Sequence, residues 1–311
     1  MPSLTPIELI AFPGAPNLPI FAAKELGFFE KAGVEINLTT TPNSVYQVEN
    51  LVAGKFNIAG TSIDNIVAYQ EGQGAVKLDT KPDLFVFMGA TQIELSLIVA
   101  PEIKTFEDLK GRSIALDALS TGFAFVLYRM FENANLSADD YTMVPVGATP
   151  ERWASVQSGE HAGTLTIEPF TSMARAKGFN VLESSLKTVE HYQGGIFAAS
   201  RRWAEENSET LCGFISGYLD GLDWALDPKN RVEAAETLLR NMPAIKPETV
   251  ERVLDKVLSE KTGLTPLARL DRKGIETVLE LRTQYGNADN PLTDPEKYLD
   301  LSYYEKVIGD R

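Results

Sequence analysis

Cysteine is nearly missing from this chain: Cys212 stands alone among 311 residues. An intrachain disulfide, a cysteine-based zinc site and an iron–sulfur cluster all need more than one thiol, so each is excluded. Histidine is almost as scarce, with His161 and His191, which leaves no His-rich set for a metal. No stretch comes near the ~20 consecutive apolar residues that a membrane-crossing helix requires. Positive charge is in deficit, since 29 Lys and Arg face 43 Asp and Glu for a formal net charge of -14. Nucleic acids and anionic membranes attract basic surfaces, so neither is expected as a partner. A pocket of the opposite sign is compatible with that exterior. The opening residues, MPSLTPIELI, carry no basic flank, apolar centre or small-residue cleavage site of an export signal.

What is present suits a globular α/β chain. With 44% hydrophobic and 23% charged residues, there is apolar material for a sizeable core and length for two lobes. The most informative stretch is residues 105–135, TFEDLKGRSIALDALSTGFAFVLYRMFENAN. An acidic first turn stops at Gly111, residues 113–116 supply a compact apolar strand, and residues 117–122 form a polar turn. Phe123, Val126, Leu127, Met130, Phe131 and Ala134 then recur at helical spacing, so one face can pack on the strand. Ser120, Thr121 and Gly122 therefore place two hydroxyls and a small residue beside the free backbone N–H groups of a helix start. That is a seat for an anion or a carbonyl, with a plain N-cap as the competing reading.

Strands and helices alternate along the rest of the chain. Strands are expected at residues 7–11, 34–38, 56–59, 84–88, 94–100, 113–116, 143–146, 163–167, 181–182 and 194–199. Thr149-Pro150-Glu151 reads as an N-cap, a first-turn proline and an acidic first turn. Residues 157–162 repeat the layout of residues 51–57, which suggests two lobes of like construction. Beyond Ser200 the chain is helical throughout, with Leu211, Ile215, Tyr218, Leu222 and Ala225 on one face. The alternation predicts parallel sheets, whose ligands lie outside the carboxyl ends of the strands. The loops at those ends are residues 12–17, 60–65, 91–93, 118–122, 147–153, 166–169 and 191–194.

Two passages carry a family resemblance: IKTFEDLKGR at residues 103–112 followed by a strand and a Ser-Thr-Gly turn, and LGFFEKAGVEI at residues 26–36 after the first helix. They are similar to the substrate-binding proteins of ABC importers, in the nitrate, taurine, aliphatic-sulfonate and thiamin-pyrimidine group, and the likeness extends over most of the chain. The resemblance implies an α/β, two-lobed type II periplasmic binding protein fold with two hinge strands and a helical C-terminal tail. One lobe would comprise residues 1–95 and 196–311, the other residues 96–195. It also implies a monomeric receptor without cofactor, closing on a small-molecule ligand and docking on an ABC permease at the membrane. Its location would be periplasmic, the signal having been removed, with the cytoplasm as the alternative. The family usually reads Gly-x-hydrophobic-Asp-Ala near Asn57 and His161, and Trp-Glu-Pro where Ile167-Glu168-Pro169 stands, so its ring stack is not carried over here.

The candidate ligand set follows the loops. Phe12 offers a stacking wall, Gly14 a close backbone approach, and Asn17 closes the same loop. Ser62 and Asp64 offer hydrogen bonds, one of them expected as a helix cap; an acid at 64 favours a cationic or hydroxyl-bearing guest. Gln92 is an amide beside a crossing. Ser120, Thr121 and Gly122 form the turn described above. Trp153 is either a stacking ring or a core residue, and Arg152 is the nearest counter-charge for an anion unless solvated. Glu168 reads first as a helix cap, and His191 with Tyr192 stands at the second hinge. No catalytic or metal-ligating residue is assigned, because no nucleophile–base pair, metal set or phosphate loop stands in a suitable place.

The expected function is a solute receptor for a sulfonate, carboxylate, pyrimidine or aromatic acid. The competing classes are an enzyme on the same fold and a cytoplasmic ligand sensor. A decarboxylase of an aromatic acid would draw on Asp64, Glu168, Arg152 and His191. The pyrimidine-synthesising relatives need a cysteine-rich motif that one cysteine cannot supply.

Overall fold

The structure is a computed structural model that describes residues 4–80, 82–286 and 291–311. Ten strands build two five-stranded sheets. In chain order they are β1 (Thr5–Ala11), β2 (Val34–Thr40), β3 (Ile58–Ser62), β4 (Leu84–Thr91), β5 (Ser96–Val99), β6 (Arg112–Leu116), β7 (Tyr141–Pro145), β8 (Gly163–Thr166), β9 (Asn180–Ser184) and β10 (Gly195–Ser200). The first sheet has the order β2-β1-β3-β10-β4 and the second β7-β6-β8-β5-β9. With the crossing strands β10 and β5 set apart, the four resident strands of each sheet have the same order, second, first, third and fourth, with the crossing strand between the last two.

Neither sheet is purely parallel, which corrects the expectation from the alternation. β1 runs parallel to β2 and β3, and β6 runs parallel to β7 and β8. β10 is antiparallel to β3 and β4, and β5 is antiparallel to β8 and β9. The two antiparallel strands are those that arrive from the other lobe. Resident strands end at the gap between the sheets, whereas a crossing strand starts there and must run the other way. β5 is buried at every position, so it reads in sequence as a plain apolar run with no mark of direction.

Two cores hold this frame. Ile7, Leu9, Phe85 and Phe87 of the first sheet pack against Phe214, Ile215, Tyr218 and Leu222 of the helix Ser208–Leu226. Ile114, Leu116 and Leu165 of the second sheet pack against Leu127, Met130 and Phe131 of the helix Gly122–Asn133. The second core continues through Ile63 and Ile66 into Ile275, Val278 and Leu279 of the helix Arg272–Tyr285, and so joins the two lobes. Each such side chain contributes about 1.5–3 kcal/mol by leaving water. No described helix is long and apolar enough to cross a membrane.

Helix starts differ from the sequence expectation at two places. Ala148, not Thr149, is the N-cap of the helix Thr149–Gln157, and the Thr149 hydroxyl instead accepts from Arg152 Nη2 at 3.0 Å. At the other, β3 runs straight into the helix Ile63–Gln70, so residues 60–65 contain no loop. Ser62 takes the N-cap position without a side-chain cap bond.

Candidate functional site

The carboxyl ends of β1, β3 and β4 face those of β6 and β8 across a cavity of about 100 Å³. One water needs about 10–15 Å³ by the same measure, so the space suits a small molecule. From the first lobe come Phe12, Gly14 and Asn17 after β1, Ser62 and Asn65 after β3, Thr91 and Ile93 after β4, and Tyr218 from the long helix. The second lobe supplies Asp117, Thr121, Gly122 and Phe123 after β6, Thr149 and Arg152, and Ile167 after β8.

The lobes touch around this space. Ala15 N donates to Glu168 O at 3.0 Å, and Ala148 N donates to Pro42 O at 2.8 Å. Ser44 N, at a helix start of the first lobe, donates to both oxygens of Asp117 in the second, at 3.2 and 3.1 Å. Two glycines permit the approach. A Cβ on Gly14 would meet Ile167 Cδ1 at 3.0 Å, and one on Gly122 would meet Asp64 Cβ at 2.6 Å and the Tyr192 hydroxyl at 2.7 Å.

Arg152 is the cation of the cavity wall. It is 3% exposed, and it donates from Nη1 to Gly147 O and from Nη2 to Thr149 Oγ1 and Leu165 O. Its Nε has no partner, and it forms no salt bridge among the described residues. Burial pulls its pKa down to about 10, against the opposing pull of Asp117 and Glu151. Three further buried donors on the wall lack partners: the Ser62 and Thr91 hydroxyls and the Tyr218 phenol, which burial pushes well above its usual range. Buried polar groups are ordinarily hydrogen-bonded, so four open valences on one cavity mark it as a place for a polar guest.

The structure gathers Phe12, Gly14, Asn17, Ser62, Thr121 and Gly122 on this wall. Asn17 Nδ2 donates to Phe12 O at 2.9 Å and shapes the loop, and Thr121 also serves as N-cap, accepting from Ala124 N at 3.4 Å. Other candidates lie elsewhere. Asp64 is fully buried in an ion pair with Arg282. Ser120 offers its carbonyl to Arg282 Nη2 at 2.8 Å. Trp153 is core: it meets the Phe179 ring edge-on at 4.8 Å, in a cluster with Ile98, Val156 and Phe170. His191 Nδ1 bonds Asp271 at 2.9 Å at the surface. Gln92 lies in the crossing segment, its backbone N donating to Gly263 O. Glu168 lines a neighbouring cavity and caps the helix that follows, accepting from Ser172 N and Oγ at 3.3 and 3.1 Å.

Asn65, Thr91, Asp117, Phe123 and Tyr218 were not in the candidate set. Asp117, as the first residue after β6, was open to the same loop argument. Tyr218 was not, because its helical periodicity marks it only as core.

The family model described as NMT1/THI5 like matches residues 16–231. No curated protein sequence matches the chain. Among solved structures it is similar to the periplasmic nitrate-binding protein of Synechocystis PCC 6803, with a TM-score of 0.81, 13% identity, and coverage of 99% of this chain and 89% of that one. The alkanesulfonate-binding protein of Xanthomonas axonopodis pv. citri, bound to MOPS, gives 0.71, 18%, 91% and 93%. A mutant of DSZB in complex with biphenyl-2-sulfinic acid gives 0.66, 13%, 98% and 99%. At these identities the likeness establishes the fold, which is that of type II periplasmic binding proteins, as the resemblance in the sequence implied.

Proposed function

Because the chain belongs to the NMT1/THI5-like family, we propose that it is the solute-binding component of an ABC importer, closing its lobes on a small organic acid and releasing it unchanged. The observation that carries this reading is Arg152, a buried guanidinium on the wall of an inter-lobe cavity with one N–H unbonded and no salt bridge among the described residues. A buried cation without a salt bridge is costly, and an incoming carboxylate or sulfonate would offset that cost. Phe12, Phe123, Ile167 and Phe197 on the same wall suit an organic body rather than a bare inorganic ion.

Two similar proteins are described as binding oxyanions, one nitrate and one alkanesulfonates, and a mutant of DSZB is described in complex with a sulfinic acid. In this reading the protein is a monomer that docks on a permease from the periplasmic side. The enzyme reading has less support. Of Asp64, Glu168, Arg152 and His191, Arg152 alone lines this cavity, while Asp64 and His191 are engaged with Arg282 and Asp271. No acid–base set converges on one point there.

The test is a thermal-shift screen of aliphatic and aromatic carboxylates and sulfonates, with each hit recovered after incubation and quantified. A receptor's melting temperature rises with the logarithm of ligand concentration, and the acid is recovered whole. Consumption of a hit would make the protein an enzyme. Hits confined to amines or neutral sugars would overturn the acid receptor.

A further inference from the structure

A second cavity, of about 230 Å³, lies beside the first. The two share four walls, Pro16, Thr91, Ile93 and Ile167, so a short and mainly apolar neck is all that separates them. Glu168 and Ser172 of the second lobe close the new cavity on one side, and Lys256, Gly263 and Leu264 of the C-terminal segment close it on another.

We infer that the two cavities form one elongated site whose guest is a zwitterion: an acid group at Arg152, an apolar middle in the neck, and a cationic group at Glu168. The inference rests on the receptor reading above and names its substrate class.

Each cavity holds one largely buried ionisable group of opposite sign, and neither group has an ion pair among the described residues. Arg152 was described above. The Glu168 carboxyl is bonded to Ser172 alone, and burial raises its pKa to about 7. The other charged groups around it are Glu94, Lys256, Arg175 and Arg252. Glu94 and Lys256 neutralise each other at 2.8 Å, and Arg175 and Arg252 are exposed at the rim. Glu168 therefore faces the cavity without an ion pair of its own, and Arg152 faces the other with one neighbouring anion, Asp117, which accepts from Ser44 N and forms no salt bridge with the guanidinium. At the neck the Thr91 hydroxyl, 2% exposed and unpartnered, is a hydrogen-bonding point for a guest passing through.

The spacing gives the guest's length. Arg152 Nη2 holds Leu165 O, and Glu168 stands three residues further on, so the backbone between them spans at most ~10 Å. An eight-carbon ω-amino acid spans about that distance.

The full-length chain is titrated by calorimetry at pH 7.5 with 8-aminooctanoate, octanoate and octanedioate. 8-Aminooctanoate is expected to bind at least about tenfold tighter than octanoate, as one added charge-assisted hydrogen bond requires, with octanedioate weakest. Glu168→Gln, checked for a cooperative melt, is expected to bring 8-aminooctanoate to octanoate's affinity. Equal binding of octanoate and 8-aminooctanoate to the wild type would overturn the zwitterion site while leaving an acid receptor. A preference that survives Glu168→Gln would also overturn it. Binding of none of the three would do so as well, and the acid screen then decides the receptor reading independently.

Discussion

Asp64 and Arg282, 218 residues apart in sequence, form a buried two-bonded ion pair, Nε to Oδ1 at 2.7 Å and Nη2 to Oδ2 at 2.6 Å. The same Nη2 donates to Ser120 O, and the guanidinium lies over the Phe125 ring at 4.8 Å. One side chain of the helix Arg272–Tyr285 thus ties the helix that follows β3 to the turn that follows β6. Arg129 adds to this seam from the other lobe, bonding Glu280 at 3.0 Å and Tyr285 at 3.2 Å.

Removing one partner of such a pair strands the other charge in a dry site. Arg282→Met is expected to lower the unfolding free energy by about 3–5 kcal/mol in urea titrations. Adding Asp64→Leu should recover a large part of that loss, because the stranded charge is then gone. A single variant as stable as the wild type would mean that Asp64 is hydrated, contrary to its burial.

At Gly122 the lobes meet with no side chain between them, a Cβ there lying 2.6 Å from Asp64 Cβ. Gly122→Val should lower the melting temperature, because its Cβ would meet Asp64 Cβ at 2.6 Å beside the core that joins the lobes, and should weaken ligand binding by at least about tenfold by propping the lobes apart. Calorimetry with the acid found in the screen measures it. Wild-type affinity in this variant would place the guest somewhere other than between the lobes.

Glu168 makes stability depend on pH in a stated direction. Its carboxyl titrates near 7 in the folded chain, above its ordinary value of 4.5, because burial disfavours the charged form. The folded state therefore holds the proton longer than the unfolded one, and stability falls as pH rises from 4.5 through 7. The loss is on the order of 3 kcal/mol and is complete by about pH 8. Glu168→Gln removes it, so in urea titrations the variant should gain on the wild type between pH 5 and pH 8. A constant difference across that range would show that Glu168 is not desolvated.

Most of the ten strands among the described residues were legible as short apolar runs or alternating segments bounded by Gly, Pro or polar residues, and the repeat at residues 51–57 and 157–162 foretold two lobes. Strand direction was not legible: β5 and the middle of β10 are buried as β8 and β4 beside them are, and only the crossing from lobe to lobe reverses them. The loops at strand ends located part of the wall, since those after β1 and β6 do line the cavity. Which side chain of a loop turns inward depends on packing. Arg152 and Trp153 are adjacent, yet the guanidinium reaches the cavity and the indole turns to Phe179. The Asp64–Arg282 pair was beyond any local pattern, because the chain between its members folds both lobes.

That adjacent pair supplies the most direct measurement. Affinity for the screened acid is determined by calorimetry on Arg152→Gln and Trp153→Phe, both confirmed folded by circular dichroism. If the guest lies between the sheets against the buried guanidinium, Arg152→Gln loses at least about tenfold, the worth of a hydrogen bond between charged groups, and Trp153→Phe loses nothing measurable. Undiminished binding in Arg152→Gln, or a loss confined to Trp153→Phe, would contradict it.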